Sequence, residues 1–343
     1  MGSIDAMIFG AFARKKLNFM ALLAVFTLGL AAMPQVALAQ DDVAAEAVTE
    51  EAAAEAPAFE HFGPDMILGQ PEDGGIDFQP QFTNDGNYAY DMHTYILMPI
   101  ITVISLFVLA LLLWVIVRYN KRANPVPSKT SHNTLIEVIW TVIPVLILVV
   151  IAVPSITLLS RQYESPPEDA ITIKANGYQW YWGYEYVDNG GFEVVSNMLD
   201  ADAALEAGEP HQLAVDNRMV VPVGVPIRLQ TFGADVIHSF GIPALWFKLD
   251  AVPGRINERM LTINEPGIYY GQCMELCGAR HGYMPIAIEA RTLEDYNAWV
   301  QTQPGGMTTE QVAAAAAAEA APAPAEEEAP ADEAAADEAA PAA

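Results

Sequence analysis

The only two cysteines of the chain, Cys273 and Cys277, fall in the short stretch Gln272–Pro285 together with His281 and Met284, in the spacing Cys-x3-Cys-x3-His-x2-Met. Thiolate, imidazole and thioether are the soft and borderline ligands that favour copper over magnesium or calcium. A second histidine, His238 in Ala234–Phe240, could close such a site from a neighbouring strand. Other chemistries compete. Two cysteines in an exported protein commonly form a disulfide, although a three-residue gap is close quarters for one. Zinc loops usually pair Cys-x2–4-Cys with two closely spaced histidines, and one histidine follows here. A c-type haem is excluded, because attachment needs Cys-x-x-Cys-His.

A loop of this kind needs a rigid frame. After Arg161 the sequence changes to short apolar runs, expected as strands at 171–175, 179–187, 219–221, 227–231, 236–242, 260–263, 268–271 and 286–290. Turn signals such as Asn189-Gly190-Gly191 and Glu265-Pro266-Gly267 separate them, which predicts an all-β sandwich or barrel. One of these runs, Tyr178–Tyr186, is crowded with aromatic residues. Successive side chains on a strand face opposite ways, so most of these rings line a core while some reach the surface.

Upstream, residues 94–117 and 138–160 carry no charge, and each stretch is long enough to span a bilayer as a helix. The connection between them holds Arg118, Lys121, Arg122 and Lys129 and no acid, which marks its side as cytoplasmic. Glu137 stands at the cytoplasmic start of the second span, where an acid facing water is the plain reading. The N-terminus reads as a secretory signal (1–39): Arg14-Lys15-Lys16, an apolar run from Leu17 to Met33, and Ala37-Leu38-Ala39 before a cut at Gln40. An acidic linker is expected over 40–74, a helical hairpin over 75–160, a β domain over 161–303, and a disordered Ala/Pro/Glu-rich tail over 304–343.

The net charge is −27, much of it in the linker and tail, yet acids outnumber bases 19 to 9 within residues 161–303 as well. An acidic face attracts a basic protein partner and argues against nucleic acid.

The loop, with Ala234–Phe240 and Leu249–Arg255, resembles subunit II of the haem-copper cytochrome c oxidases, of bacterial aa3-like type, over about residues 75–290. The resemblance implies a two-helix membrane hairpin followed by an all-β cupredoxin-like Greek-key barrel. It implies a dinuclear copper A centre held by His238, Cys273, Cys277, His281, Met284 and the backbone carbonyl of Glu275. The Glu275 carboxylate would share a magnesium or manganese ion with subunit I. Trp180, with Tyr181 beside it, would take electrons from cytochrome c, docked on Glu185, Asp235, Asp250 and Asp216. Glu137 would stand at the mouth of a proton pathway into subunit I. The haems would lie in subunit I and not in this chain, with subunit III and membrane lipid as further neighbours. The implied location is a bacterial inner membrane, with the N-terminus and β domain in the periplasm. The sequence departs from the family at Met274, where serine is frequent, and places Arg280 beside His281. A quinol oxidase subunit would lack the copper ligands, and a single-copper carrier needs one cysteine rather than two.

Overall fold

The computed structural model describes residues 59–320. The expected signal (1–39), residues 40–58 of the expected linker and residues 321–343 of the expected tail lie outside the described residues.

The hairpin is built from two long helical stretches. The first joins α1 (Asn84–Asp91), a π-helical turn (Met92–Leu97) and α2 (Met98–Arg118), and Thr83 caps its start by accepting from the Gly86 N–H. The second, α3 (Thr134–Gln162), is capped by Asn133, whose side chain accepts from the Ile136 N–H. Both are long and apolar enough to cross a membrane, and large apolar side chains such as Leu113, Trp114 and Leu148 are exposed along them. Such a surface is unfavourable in water and at home in lipid, so the protein is membrane-anchored. The uncharged stretches 94–117 and 138–160 fall inside these helices, and α3 includes Pro144 and Pro154.

The β domain contains β1 (Ile67–Gly69), β2 (Ile171–Tyr178), β3 (Tyr181–Tyr186), β4 (Glu193–Ser196), β5 (Met219–Pro222), β6 (Ile227–Gly233), β7 (His238–Ile242), β8 (Phe247–Ala251), β9 (Asn257–Leu261), β10 (Gly267–Cys273) and β11 (Pro285–Arg291). One sheet runs β5-β11-β10-β7-β8, with β1 also paired to β10; the other runs β4-β3-β2-β6-β9. Both are mixed, since β2 pairs β6, and β11 pairs β5, in parallel. This is the cupredoxin-like two-sheet arrangement implied by the resemblance. The sheets enclose Ile173, Trp182, Tyr184, Tyr186, Phe240 and Ile288. Trp182 meets Phe240 edge-on at 5.3 Å, a geometry contributing about 0.5–1.5 kcal/mol beyond area burial. The aromatic run divides as its alternation requires: Trp182, Tyr184 and Tyr186 are buried, while Tyr181 stacks on Tyr178 at 4.6 Å nearer the surface.

Several expected boundaries are corrected. The strands β4 and β8 lie in segments not expected to be strands, because four- and five-residue strands carry too short a pattern. Gln179 and Trp180 are not strand residues; they form the turn between β2 and β3, whose pairing closes at Tyr178↔Tyr181. The expected linker is ordered over residues 59–69: Ile67 and Gly69 pair with β10, and a Cβ on Gly69 would lie 2.8 Å from the Ala244 and Tyr269 side chains. The structure adds α4 (Ala201–Glu206) between β4 and β5, and α5 (Leu293–Gln301) after β11. In the expected tail, α6 (Thr309–Ala320) forms. Its alanines are the strongest helix formers, and Thr308 and Gln311 exchange side-chain and backbone hydrogen bonds as a capping box.

The ordered segment before β1 explains why β11 is buried along its whole length instead of alternating. Glu289, with a fully buried side chain, accepts from Arg218, the Phe62 N–H and His61, and pairs with Arg291. Arg291 in turn donates to the Glu60 carbonyl and lies over the Phe59 and Phe62 rings. Desolvation opposes ionisation of Glu289, but its hydrogen bonds and cationic neighbours hold its pKa at about 2.

Candidate metal centre

Two strand ends and one loop assemble the donor set. His238 opens β7, Cys273 closes β10, and their strands are joined by the Cys273↔Phe240 pairing and by the Met274 N–H donating to the Ser239 carbonyl. The chain then turns through Glu275–Arg280 and a 3-10 turn at His281–Tyr283, and returns into β11 just after Met284. Pairing of β10 with β11 fixes both ends of the loop, so its ligand-type residues face inward without a long excursion.

The Sγ atoms of Cys273 and Cys277 are 3.8 Å apart. Both thiols are free, and this separation is far beyond a disulfide bond of about 2.05 Å. His238 Nδ1 lies 3.9 Å from Cys273 Sγ, and His281 Nδ1 lies 3.6 Å from Cys277 Sγ. Met284 Sδ is 3.5 Å from Cys277 Sγ, and the Cys273 thiol donates to the Glu275 carbonyl at 3.3 Å. One donor atom from each of His238, Cys273 and Cys277 falls within 4.8 Å of the others. Metal–thiolate bonds of about 2.3 Å could reach both sulfurs across this gap, so the residues fit a soft metal such as copper.

Burial and hydrogen bonding prepare the donors. Burial opposes thiolate formation at Cys273, but hydrogen bonds with His238, the Ser239 and Glu275 backbone and His281 together outweigh it and lower the thiol's pKa. Burial and the neighbouring sulfur push Cys277 the other way. The fully buried His238 holds Asp235 Oδ1 with Nε2 at 2.9 Å, leaving Nδ1 towards the sulfurs. Asp235 also accepts from the backbone N–H groups of Gln179 and Val236.

The β2–β3 turn leans on the loop. Trp180 Nε1 donates to the Cys277 carbonyl at 3.3 Å, and Gln179 Nε2 donates to the same oxygen at 2.8 Å. Trp182 Nε1 donates to the Met284 carbonyl at 3.2 Å. Gly278 is required where the turn and loop meet: its φ is +122°, and a Cβ there would sit 3.0 Å from Gln179 Nε2. Sequence reasoning misses Gln179 and Trp182, since hydrogen bonds to a loop's carbonyls leave no residue-type signature. Met274 bends away over Gly241, where an added Cβ would run into its Sδ.

Other candidate residues stand elsewhere. Glu275 and Arg280 are exposed, with only the Glu275 carbonyl turned to the sulfurs. Glu185 pairs with Lys174 at 3.1 Å, and Asp250 holds Lys248 and Ser239. Asp216 clasps the backbone of Asn197 and Asn217. Glu137 is in the first turn of α3, where it accepts from the Asn133 N–H. Twenty-five residues of helix, about 38 Å, separate it from Gln162 at the end of α3 adjoining the β domain.

Comparison with known proteins covers both parts of the chain. The family described as cytochrome c oxidase subunit II, periplasmic domain, matches residues 171–291, and the corresponding transmembrane domain matches residues 71–158. The chain is 51% identical over 225 residues to a probable cytochrome c oxidase subunit 2 of Rickettsia prowazekii, covering 66% of this chain and 71% of that one. It is 39% identical over 257 residues to cytochrome c oxidase subunit 2 of Cereibacter sphaeroides, covering 70% and 84%. Among solved structures, the periplasmic domain of cytochrome oxidase subunit II of Bradyrhizobium japonicum shares 48% identity, with a TM-score of 0.37, covering 40% of this chain and 96% of that one.

Proposed function

Because the chain belongs to the cytochrome c oxidase subunit II family, a subunit of a haem-copper terminal oxidase, we propose that it accepts electrons from cytochrome c and delivers them to haem in subunit I. There they reduce oxygen to water, coupled to proton pumping. The observation that carries this reading is the gathering of two imidazole Nδ1 atoms, a thioether and a carbonyl around the two free thiols. A dinuclear copper centre bound there supplies one-electron redox chemistry. Cys273 and Cys277 would hold it through their thiolates and His238 and His281 through their imidazoles, while Met284 and the Glu275 carbonyl would bind more weakly and tune its potential.

The surrounding residues hold these ligands still. Asp235 fixes the His238 tautomer, and the bonds from Gln179 and Trp180 to the Cys277 carbonyl hold the loop against the β2–β3 turn. The half-buried Trp180 ring therefore touches both the surface and the ligand loop, which suits it to pass electrons inward, with Tyr181 next in the chain. Glu275, exposed beside the sulfurs, offers a hard carboxylate to a magnesium or manganese ion shared with subunit I. Glu185, Asp235, Asp250 and Asp216 keep the domain acidic for a basic cytochrome c.

The basic connection after α2 favours a periplasmic β domain in a bacterial inner membrane. Glu137 then lies on the cytoplasmic side, at the start of a proton pathway into subunit I, and subunit III completes the complex. Stopped-flow reduction of the copper-loaded full chain by ferrocytochrome c tests the electron route. Trp180→Phe is expected to slow reduction by an order of magnitude or more at unchanged copper content. An unchanged rate contradicts a role for Trp180.

A further inference from the structure

Where the helices meet the β domain lies a cavity of about 210 Å3, separate from the sulfur site. Its walls come from the start of α1 (Asp85), the end of α3 (Arg161), Glu164 just beyond it, Trp246, and Arg259 of β9. Arg259 is half-buried, with its guanidinium 5.1 Å over the Phe247 ring. Its side chain makes no ion pair or hydrogen bond among the described residues. The other arginines withdrawn from water, Arg218 and Arg291, both hold carboxylates. The half-buried guanidinium of Arg259, with only the charge of Asp85 near it and no carboxylate bonded to it, is open to a further anion.

The same lining carries two acids beside Arg161. Asp85 is tied to Arg161 at 3.4 Å, and Glu164 is exposed with no cation beside it among the described residues. A free anion satisfies Arg259 but meets these carboxylates; a zwitterion satisfies both. The depth is that of lipid headgroups. Arg161 is the first residue beyond the uncharged stretch 138–160, inside the polar layer of about 5–8 Å that borders the hydrocarbon. Tyr88, which lies under Arg161 at 5.2 Å, and Trp246 are the amphipathic rings that favour this level.

We propose that this cavity binds a glycerophospholipid headgroup of the phosphoethanolamine class, its phosphate on Arg259 and its ammonium on Glu164 and Asp85. The bound lipid fills the angle between hairpin and β domain, and so steadies the sulfur site relative to the membrane.

Native mass spectrometry of the full chain in detergent, titrated with phosphatidylethanolamine, phosphatidylglycerol or inorganic phosphate, tests this. The wild type is expected to retain one phosphatidylethanolamine in preference to phosphatidylglycerol. Arg259→Gln weakens retention about tenfold, the loss of one charge-assisted hydrogen bond. Glu164→Gln, an exposed change that leaves folding intact, removes the preference for phosphatidylethanolamine, and Arg228→Gln on β6 changes nothing. Wild-type retention by Arg259→Gln, equal binding of both lipids by the wild type, or binding of inorganic phosphate alone would each overturn the proposal. Loss of the lipid when the chain is assembled with the other oxidase subunits would also overturn it, assigning the cavity to a protein neighbour.

Discussion

Asp235 Oδ1 lies 2.9 Å from His238 Nε2, on the side of the ring away from Cys273. Expected from sequence as a docking acid, Asp235 also grips His238 and the Gln179 N–H at once. Asp235→Asn keeps the size but frees the ring to change tautomer. Copper affinity, measured by competition with a chelator, is expected to fall by about 10- to 100-fold with the fold intact. An unchanged affinity would return Asp235 to a surface role.

Gly278→Ala places a side chain on a backbone with φ of +122°, against Gln179 and Trp180. A cost of about 1–3 kcal/mol is expected from backbone strain alone. Because Trp180 leans on the same loop, its fluorescence should change along with the melting temperature. A fall in melting temperature with unaltered fluorescence would separate the two.

The buried Glu289 makes stability depend on acid. Its folded pKa is held at about 2, below the usual glutamate range, so its stabilisation is complete above pH ~4.5 and is lost as pH falls towards about 2. The loss amounts to about 3 kcal/mol, read from denaturant unfolding of the β domain in the detergent-solubilised chain. Glu289→Gln removes this slope and, by leaving Arg291 without a carboxylate and Arg218 with Glu209 alone, costs roughly 3–5 kcal/mol at neutral pH.

Glu137→Gln tests the proton route in the assembled oxidase. Turnover is expected to fall while copper content and electron acceptance from cytochrome c stay as in the wild type. The hydrogen bond to the Asn133 N–H survives with a glutamine acceptor, so helix stability should not change.

The donor set was legible because its chemistry lies in residue type and spacing: Cys273, Cys277, His281 and Met284 share one loop, and only His238 comes from a distant strand. The two membrane helices were legible from absence of charge. The ordered segment at residues 59–69 was not, because its few apolar residues follow an Ala/Glu-rich stretch and gain order through Glu289 and Arg291, far along the chain. The turn position of Trp180 was hidden because an aromatic run reads as a continuous strand, while the break is set by where β2 and β3 stop pairing. The α6 helix was masked by the composition of the tail around it, although Thr308 and Gln311 mark its start.

The most direct test is copper per chain, with the optical spectrum, on the full chain in detergent beside Cys273→Ser. Keeping the full chain matters, because residues 59–69 pack on the β domain and a fragment starting at Arg161 would expose Glu289. Two coppers per chain are expected in the wild type, lost or converted to a different spectrum in the variant. One copper per chain with the spectrum of a single-cysteine site, or no copper and a Cys273–Cys277 disulfide, would contradict a dinuclear electron-entry centre.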